Sequence, residues 1–338
     1  MWNQAGLAVL LTACVLTCSA CACSAQGAAE PSPTPIGAKL QSQSVNWPKN
    51  KLTMDESGIP QLDVYVVDEK AVRTMDVESY VQGVLAGEMK NDWPMEALKA
   101  QAILARTFVL KFIEEKESKY PNADISTDIE EAQAYDASAV NDRIRQAVKD
   151  TEGMVLVSDG SLPYAWFHAH SGGVTESAKV GLGWDKDEPA YTQSVQGNEP
   201  SSAADGQALA DAQSWTASFS FEELETACRK LGAETELTEA SEIAIAKRGE
   251  SGRADVISLD GKEVPAADLR IALGSTKMRS TLLSSLKAEK GRVSMAGKGY
   301  GHGVGMSQWG AYGMAEAGKS AVEIVKHYFK NVMVETLW

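Results

Sequence analysis

Residues 77–115 constrain the fold most, because two helical patterns follow one another there. The first pattern covers VESYVQGVLAGEM, in which apolar residues recur at three- and four-residue spacing and predict a helix with one buried face. The second covers PMEALKAQAILARTFVLKFIEEKE, where Pro94 suits a first helical position. The turn KNDW separates them. The sequence therefore predicts two successive helices, each with an apolar stripe to bury.

Glu88 continues the apolar stripe of the first helix, as the fourth residue after Val84. A carboxyl group removed from water keeps its proton to higher pH, because desolvation penalises the charged form. Such a group can donate a proton near neutral pH. Gly83 and Gly87 each destabilise a helix by roughly 1 kcal/mol relative to Ala, which indicates that something must approach the backbone there. The alternative is a solvated glutamate near a helix end.

Arg106 interrupts the apolar run ILARTFVL of the second helix. An arginine in such a run either extends its charged end to water or pairs with an acid. We predict a pair with an acid.

The composition is that of a globular protein, with 338 residues, 44% apolar and 23% charged. The formal charge of −14 belongs to the folded part, since the first charged side chain is Glu30. A strongly acidic domain is not attracted to polyanions. Nucleic acid is therefore not an expected partner.

The N-terminal residues 1–25 predict an export signal, although no Lys or Arg precedes the apolar run. They also resemble a bacterial lipoprotein signal, with Cys21 as the expected lipidation site and Cys14 or Cys23 as alternatives. A signal that is simply removed and an uncleaved anchor remain possible. Residues 26–55 are rich in Pro, Ser and Gln and predict a flexible linker. We expect an exported, extracytoplasmic protein that is tethered to the membrane at the cell envelope.

The remaining pattern predicts an α+β fold. A strand near Leu62 precedes the two helices, and strands at MVLVSDG and LPYAWFHAHSGG follow them. Residues 196–290 contain the strand WTASF, a helix with the capping pair Ser220 and Glu223, and the hairpin IAIAKRGESGRADVISLDG. We expect one unit of residues 56–195 and 291–338, interrupted by a smaller α+β lobe at residues 196–290. Beyond the signal only Cys228 remains, so no disulfide within the chain is expected there.

The segment GKGYGHGVG has glycine at every second position. If it is extended, one face is bare backbone, open to a ligand or to another strand, and Tyr300 and His302 lie on the other face. Purely structural glycines are the alternative. The spacing matches neither phosphate-binding motif, G-x-G-x-x-G or G-x-x-x-x-G-K-[ST]. Ser307 is expected to cap a helix whose first amides, beside Gln308 and Trp309, can hold the oxygens of a sugar.

Strand alternation in LPYAWFHAHSGGVTES places Trp166, His168 and His170 on one face. Two histidines at this spacing can share a zinc ion, but no cysteine is near and Glu176 is the only close acid. We favour histidines that form hydrogen bonds in a polar cleft. We expect no metal or other cofactor, with zinc kept as the alternative.

Three segments together resemble the SpoIID/LytB family of bacterial cell-wall proteins. They are VESYVQGVLAGEMKNDWPMEALKAQAILART, AWFHAHSGGVTES and GYGHGVGMSQWGAYGMA, and the likeness runs from about residue 60 to the C-terminus. The resemblance implies a lytic transglycosylase that acts on peptidoglycan glycan strands, with Glu88 of the GEM motif as the catalytic acid and base. The family commonly has proline where this chain has Lys90. Some relatives bind zinc through histidine and cysteine, and the cysteines are missing here, so the metal is not carried over.

The expected reaction cleaves the bond between N-acetylmuramic acid and N-acetylglucosamine and leaves 1,6-anhydro ends, in cell-wall remodelling or sporulation. Two alternatives remain: a non-catalytic glycan-binding enhancer of a cell-wall amidase, and a metal-dependent hydrolase built on His168, His170 and Glu88. Expected partners are glycan strands, a cell-wall amidase or scaffold protein, and the membrane through the N-terminus. Expected stacking surfaces for sugars are Trp166, Trp184, Trp309 and Tyr300. Expected saccharide-binding residues are Arg106, His168, His170, Ser171, Tyr300, His302 and Gln308.

Overall fold

A computed structural model describes residues 45–338. The predicted signal at residues 1–25, the lipidation site Cys21 and the linker up to residue 44 lie outside the described residues. Helices and strands are mixed throughout the described part, which confirms the predicted α+β class. Within these same residues, no helix is both long enough and apolar enough to cross a membrane.

Nine α-helices occur between residues 45 and 338. In chain order they are α1 (Val77–Glu88), α2 (Met95–Glu115), α3 (Asp142–Asp150), α4 (Ala178–Leu182), α5 (Gly206–Gln213), α6 (Phe221–Lys230), α7 (Ala266–Ala272), α8 (Gln308–Glu316) and α9 (Ala321–Tyr328). The predicted capping box of α6, formed by Ser220 and Glu223, is present. Ser307 caps α8 as predicted, and its side chain accepts a hydrogen bond from Gly310 N.

Helix α2 is the centre of the main core. Its middle turns are buried on all sides, including Gln101, Arg106 and Thr107. This differs from the single apolar stripe that the sequence predicted, because α1, α3, α8 and α9 pack around α2. The small residues Ala100, Ala102 and Ala105 allow these neighbours to come close.

The strands of the main core form three small sheets. The first contains β1 (Thr53–Met54), β2 (Pro60–Val66) and β3 (Ala71–Asp76), with β4 (Ile125–Ser126) parallel to β2. In the second, β5 (Met154–Val157) pairs with β14 (Met333–Thr336). In the third, β6 (Phe167–His168) is parallel to β13 (Met306–Ser307). This third sheet positions the residues that the sequence analysis singled out.

Residues 45–55, which were predicted to be the C-terminal part of the linker, contact the domain. Asn46 N donates to Gly160 O at 2.7 Å, and Lys51 Nζ donates to Ile113 O at 2.7 Å. Leu52 is buried in the main core. The few apolar residues of this segment are therefore sufficient to fix it against the domain.

The inserted lobe has its own hydrophobic cluster. One sheet contains β7 (Ser214–Ser220), β11 (Leu283–Glu289) and β12 (Arg292–Lys298), and another contains β8 (Ile243–Arg248), β9 (Ala254–Leu259) and β10 (Lys262–Pro265). The lobe therefore covers residues 214–298, whereas 196–290 was predicted. The predicted boundary at 290 falls in the turn between β11 and β12, and the residues before β7 belong to the main core, where Leu209 and Ala212 are buried.

Candidate active site

Glu88 is the last residue of α1 and is half-buried. Its Oε1 accepts a hydrogen bond of 2.7 Å from Ala134 N. Burial raises the pKa of Glu88 to about 7, against the opposing effects of the Ala134 N–H and the Gln308 amide. The C-terminal end of a helix also disfavours a negative charge. Glu88 can therefore hold or release a proton near neutral pH.

A segment at residues 133–136, which we call the strap, crosses α1 beside Glu88. Asp136 N donates to Gly83 O at 2.9 Å. A Cβ atom at Gly83 would lie 2.2 Å from the Tyr135 ring, and one at Gly87 would lie 2.6 Å from Tyr135 N. The interpretation that something approaches the helix backbone at these two glycines is confirmed. Nothing in the sequence indicated that the strap would be the element that does so.

Gln308, the first residue of α8, contacts the same end of α1. Its Nε2 donates to the backbone oxygen of Glu88 at 3.3 Å and lies 3.5 Å from Gln101 Oε1. Two of the first amides of α8 are already used, because Trp309 N donates to Ala169 O and Gly310 N donates to Ser307 Oγ. The expectation that these two amides hold sugar oxygens was wrong. Gln308 itself positions the residue that carries the acid.

His168 lies beside this region because β6 pairs with β13, in which Ser307 is opposite His168. The ring is buried, and its Nδ1 is 3.1 Å from Val304 O. A carbonyl oxygen only accepts, so Nδ1 carries the proton. Burial, followed by the charges of His302 and Arg253, holds the pKa of His168 well below its usual range. His168 is therefore neutral.

His170 is buried two residues further along and forms a backbone bridge with Tyr300. Its Nδ1 accepts a hydrogen bond from Gly172 N at 2.9 Å, so Nε2 carries the proton. Burial lowers the pKa of His170, and nearby Glu199 opposes this.

Glu199 is a residue of this region that the sequence analysis missed. Its side chain is 6% exposed, and its Oε1 accepts from Ser171 N at 2.6 Å and from Ser307 Oγ at 2.8 Å. It also lies 3.6 Å from His170 Nδ1. No local pattern marks it, and it fell within the block that was predicted to be the lobe.

Tyr300 and His302 are the predicted residues of this region that remain partly exposed. The His302 ring centroid lies 5.6 Å from that of His168. Burial, followed by the charges of Arg270 and Arg253, lowers the pKa of His302. The Arg279 guanidinium lies 5.3 Å from the centroid of the Tyr300 ring. Tyr300 can still contact a ligand. The Nδ1 of His302 already accepts a hydrogen bond from Val304 N at 3.1 Å, which leaves Nε2 as the remaining polar group of that ring.

The glycine segment at residues 299–305, which we call the ribbon, is not extended. Its four glycines have φ angles of 79°, 109°, 84° and 69°, which L-residues with side chains rarely adopt. A Cβ at Gly301 would lie 2.7 Å from His168 Cβ, and one at Gly299 would lie 2.7 Å from His170 O. The bare face is therefore occupied by the histidine segment rather than by a ligand. The ribbon backbone cannot form a regular ladder of hydrogen bonds with the histidine segment. The predicted strand LPYAWFHAHSGG is therefore limited to β6 and a single bridge between His170 and Tyr300.

Two predicted saccharide-binding residues cannot serve that role. Arg106 is fully buried and pairs with Glu78, with Nε 2.9 Å from Oε1, while its Nη1 donates to Met154 O at 2.9 Å. The predicted pairing with an acid is confirmed, but the predicted contact with a saccharide or with Glu88 was wrong. Ser171 is also fully buried, and its Oγ accepts a hydrogen bond from Gly173 N. It shapes a turn and cannot reach a ligand.

The tryptophans that were expected to stack on sugars are partly buried in the core and partly exposed. Trp309 is buried against Trp93, with ring centroids 4.5 Å apart, so it is a core residue. Trp166 and Trp184 remain half-exposed and pack on each other with centroids 5.2 Å apart. Of the three tryptophans expected to stack on sugars, these two remain available.

The residues present do not fit a zinc site. Among residues 45–338, no group of three or more His, Cys, Asp or Glu converges in a way that could hold a metal ion. The two Nε2 atoms of His168 and His170 are buried without a protein partner, but only that of His168 offers a lone pair in the tautomers assigned above.

Two cavities border this part of the molecule. One of about 260 Å³ adjoins the loop that follows Glu88 and is lined by residues that include Asp92, Trp93 and Asp205. Another, of about 800 Å³, lies between the lobe and the main core and contains none of the predicted site residues. The structure thus brings Glu88 together with Gln308, and His168, His170, Ser171, Tyr300 and His302 with one another. Helix α8 and strand β13 connect the two groups.

Comparison with known proteins finds matches over most of the chain. The family model described as Stage II sporulation protein matches residues 66–157, and one described as a domain of unknown function matches residues 185–305. An uncharacterised protein of Brachyspira hyodysenteriae is 35% identical over 276 residues, which cover 81% of this chain and 69% of the relative.

Two relatives carry descriptive names. Stage II sporulation protein D of Bacillus amyloliquefaciens is 33% identical over 306 residues, which cover 83% of this chain and 80% of the relative. The amidase enhancer of Bacillus subtilis is 28% identical over 287 residues, which cover 74% of this chain but 39% of the relative. With relatives above 30% identity aligned over most of their length, this chain belongs to the SpoIID/LytB family.

Proposed function

We propose that this protein is a peptidoglycan lytic transglycosylase in which Glu88 is the single catalytic acid and base. The observation that carries the proposal is the environment of Glu88. Its carboxyl group is half-buried at the end of a helix, has a pKa of about 7, and is oriented by the Ala134 N–H. A general acid works best when its pKa lies near the working pH.

The Ala134 N–H determines which oxygen carries the proton. Because Oε1 accepts that hydrogen bond, the proton of neutral Glu88 lies on Oε2. Glu88 gives this proton to the oxygen that links the muramyl and glucosaminyl sugars, and the bond from that oxygen to the muramyl C1 breaks. The Glu88 carboxylate then takes the proton of the muramyl C6 hydroxyl, while the C6 oxygen forms the new bond to C1. The Ala134 N–H stabilises the carboxylate between the two steps.

This sequence of steps needs one carboxylate and consumes no water. Most glycoside hydrolases need a second carboxylate to activate water or to form a covalent intermediate. Glu199, a buried acid beside His170, already accepts from Ser171 N and Ser307 Oγ. That bonding suits an acid that holds the histidine turn in place, and it supports a one-carboxylate mechanism.

We assign the saccharide contacts to the partly exposed Tyr300 and His302, with Trp166 and Trp184 as a stacking surface outside the reacting sugars. Because the Nδ1 of His302 accepts from Val304 N, its Nε2 carries the proton and can donate to a hydroxyl group without introducing charge. The acidic domain should depend on such sugar contacts rather than on charge attraction to the wall. We place the reaction outside the cytoplasmic membrane, where glycan strands are found and where an N-terminal export signal would take the chain.

Mass spectrometry of glycan strands digested by the purified protein tests the proposal. Saccharide termini lighter by one water than ordinary reducing ends are expected, and Glu88→Gln should give none. This variant keeps the size of the side chain and removes its acidity. Products with ordinary reducing ends would show a hydrolase instead and would refute the mechanism. We also propose that no metal is needed, so the activity should survive exhaustive chelation.

A second candidate function has one specific observation in its favour, the similarity to the amidase enhancer of Bacillus subtilis. In that case the chain would bind glycan and stimulate a cell-wall amidase without cleaving the strand. Stimulation of an amidase by Glu88→Gln at the wild-type level, together with no anhydro products from the wild type, would favour this candidate.

A further inference from the structure

The turn between β8 and β9 brings part of the inserted lobe against the proposed active site. We call residues 249–253 the hairpin tip. We propose that Arg253 of the hairpin tip is a positioning residue that holds the turn at residues 171–174 and the ribbon in place, and through them the histidines of the site. This inference rests on the proposed function and gives the lobe a part in it.

Arg253 clamps both ends of a short turn. Its side chain is fully buried, with Nη2 donating to Ser171 O at 2.5 Å and Nη1 donating to Val174 O at 2.9 Å. The turn between these carbonyls follows His170 directly and includes Gly172, whose N–H binds the His170 ring. One guanidinium group therefore fixes the exit of the histidine segment with two directed bonds, which a lysine ammonium cannot reproduce in the same plane.

Arg253 also contacts the ribbon. A Cβ at Gly303 would lie 2.3 Å from Arg253 Cζ, and the φ of Gly303 is +84°. Gly303 O accepts from Glu176 N at 2.8 Å, and the preceding ribbon residue is His302. The guanidinium therefore lies directly against the backbone that carries His302, and only glycine leaves it this space.

The hairpin tip is held by a second contact, from Ser251 to Glu176, and Arg253 Nη1 also donates to Ser251 Oγ at 3.3 Å. Ser251 Oγ donates to Glu176 Oε2 at 2.7 Å, and Ser251 N donates to the same oxygen at 3.2 Å. A Cβ at Gly249 would lie 2.3 Å from that oxygen. Glu176 is fully buried. The lobe therefore brings Arg253 to the core in a prearranged position, and loss of the Arg253 side chain alone leaves this contact in place.

The charge of Arg253 is not neutralised by direct pairing. Among the described residues, no carboxylate lies within ion-pair distance of its nitrogen atoms. Burial lowers the pKa of Arg253 to about 10, and Glu176 and Glu199 act in the opposite direction, so the guanidinium stays charged at neutral pH. A buried charge that is bound by neutral oxygens and by no carboxylate is costly. Such a group is expected where it has a role beyond packing.

Kinetics with Arg253→Ala and Arg253→Lys test the proposal. Misplacement of catalytic groups by about 1 Å lowers rates about 100-fold, so we expect Arg253→Ala to lose about 100-fold in kcat with a smaller change in KM. Guanidinium ion at millimolar concentration should restore part of the loss, and ammonium at equal ionic strength should not. Arg253→Lys should remain well below wild type. The matched control is Arg229→Ala, an exposed lobe arginine, which should change nothing.

Spectroscopy separates this inference from the proposed function. With 15N-labelled histidine, the ring N–H of His168 bound to Val304 O should give a protected signal in the wild type that shifts or disappears in Arg253→Lys and stays in Arg229→Ala. This readout holds even if the wild type makes no anhydro sugars. Wild-type kinetics and an unchanged ring signal in Arg253→Lys would overturn the proposal. So would loss of activity in Arg253→Ala without rescue and with an unshifted His168 signal.

Discussion

The backbone N–H of Ala134 is hydrogen-bonded to Oε1 of Glu88 at 2.7 Å. This contact joins the end of α1 to the strap, which the chain reaches only after α2 and β4. It leaves the other carboxyl oxygen of Glu88 for proton transfer. The donor is a backbone group, so a side-chain substitution does not remove it. The behaviour of Glu88 should therefore depend on how closely the strap can approach the helix.

Glu88→Gln should stabilise the fold at high pH and not at low pH. The pKa of Glu88 is about 7 in the folded protein and has an ordinary value of 4.5. Below pH 4.5 Glu88 is protonated in both the folded and the unfolded state, so its ionisation does not change the free energy of unfolding. Between pH 4.5 and 7 the unfolded state ionises first, and the wild type loses up to about 3 kcal/mol relative to the Gln variant, with no further loss above pH 7. Urea unfolding across this range measures it, and a pH-independent difference would contradict the raised pKa.

The pH profile of glycan cleavage should fall above pH 7. The free enzyme must hold the Glu88 proton to act as an acid, so kcat/KM should be constant at lower pH and decline about tenfold for each further pH unit above the pKa of about 7. Anhydro-sugar release at a series of pH values provides the measurement. A rate that rises through pH 7 would indicate that the ionised form starts the reaction.

Gly87→Ala should reduce activity, although alanine has the higher helix propensity. Ala improves helix propensity by about 1 kcal/mol, but the new Cβ would lie 2.6 Å from Tyr135 N. The strap must move, which should lower kcat about 10- to 100-fold and offset the gain in unfolding free energy. Gly206→Ala is the matched control, because no atom lies within 4 Å of its Cβ position and it begins α5. Equal activity in the two variants would show that the strap tolerates displacement.

Arg106→Ala should destabilise the fold strongly, because it leaves the buried Glu78 carboxylate with the Gly153 N–H and without its positively charged partner. We expect a loss of about 3–5 kcal/mol in unfolding free energy. The control Arg145→Ala removes the exposed pair with Asp142, and we expect less than about 1 kcal/mol from it. Urea unfolding compares the two. If Arg106→Ala kept its stability and only raised KM for glycan, Arg106 would be a ligand residue after all.

Local sequence determined the features that depend on residues a few positions apart. The capping boxes of α6 and α9 and the cap of α8 follow from side chains that reach amides within one turn. The apolar periodicity likewise identified α1 and α2, and it placed Glu88 at the edge of a buried face. Such patterns are readable because both partners lie in the same short segment.

Tertiary structure decided which distant groups meet. The sequence predicted an acid for Arg106, but α1 offers both Glu78 and Glu88, and only the packing of α2 selects Glu78. The strap over Glu88, the acid Glu199 beside His170 and the Arg253 clamp come from segments far apart in the chain. The positive φ angles of the ribbon depend in the same way on the histidine segment that lies against it. Residue spacing carries no information about such contacts, because burial, and with it the pKa of Glu88, is a property of the assembled core rather than of any single segment.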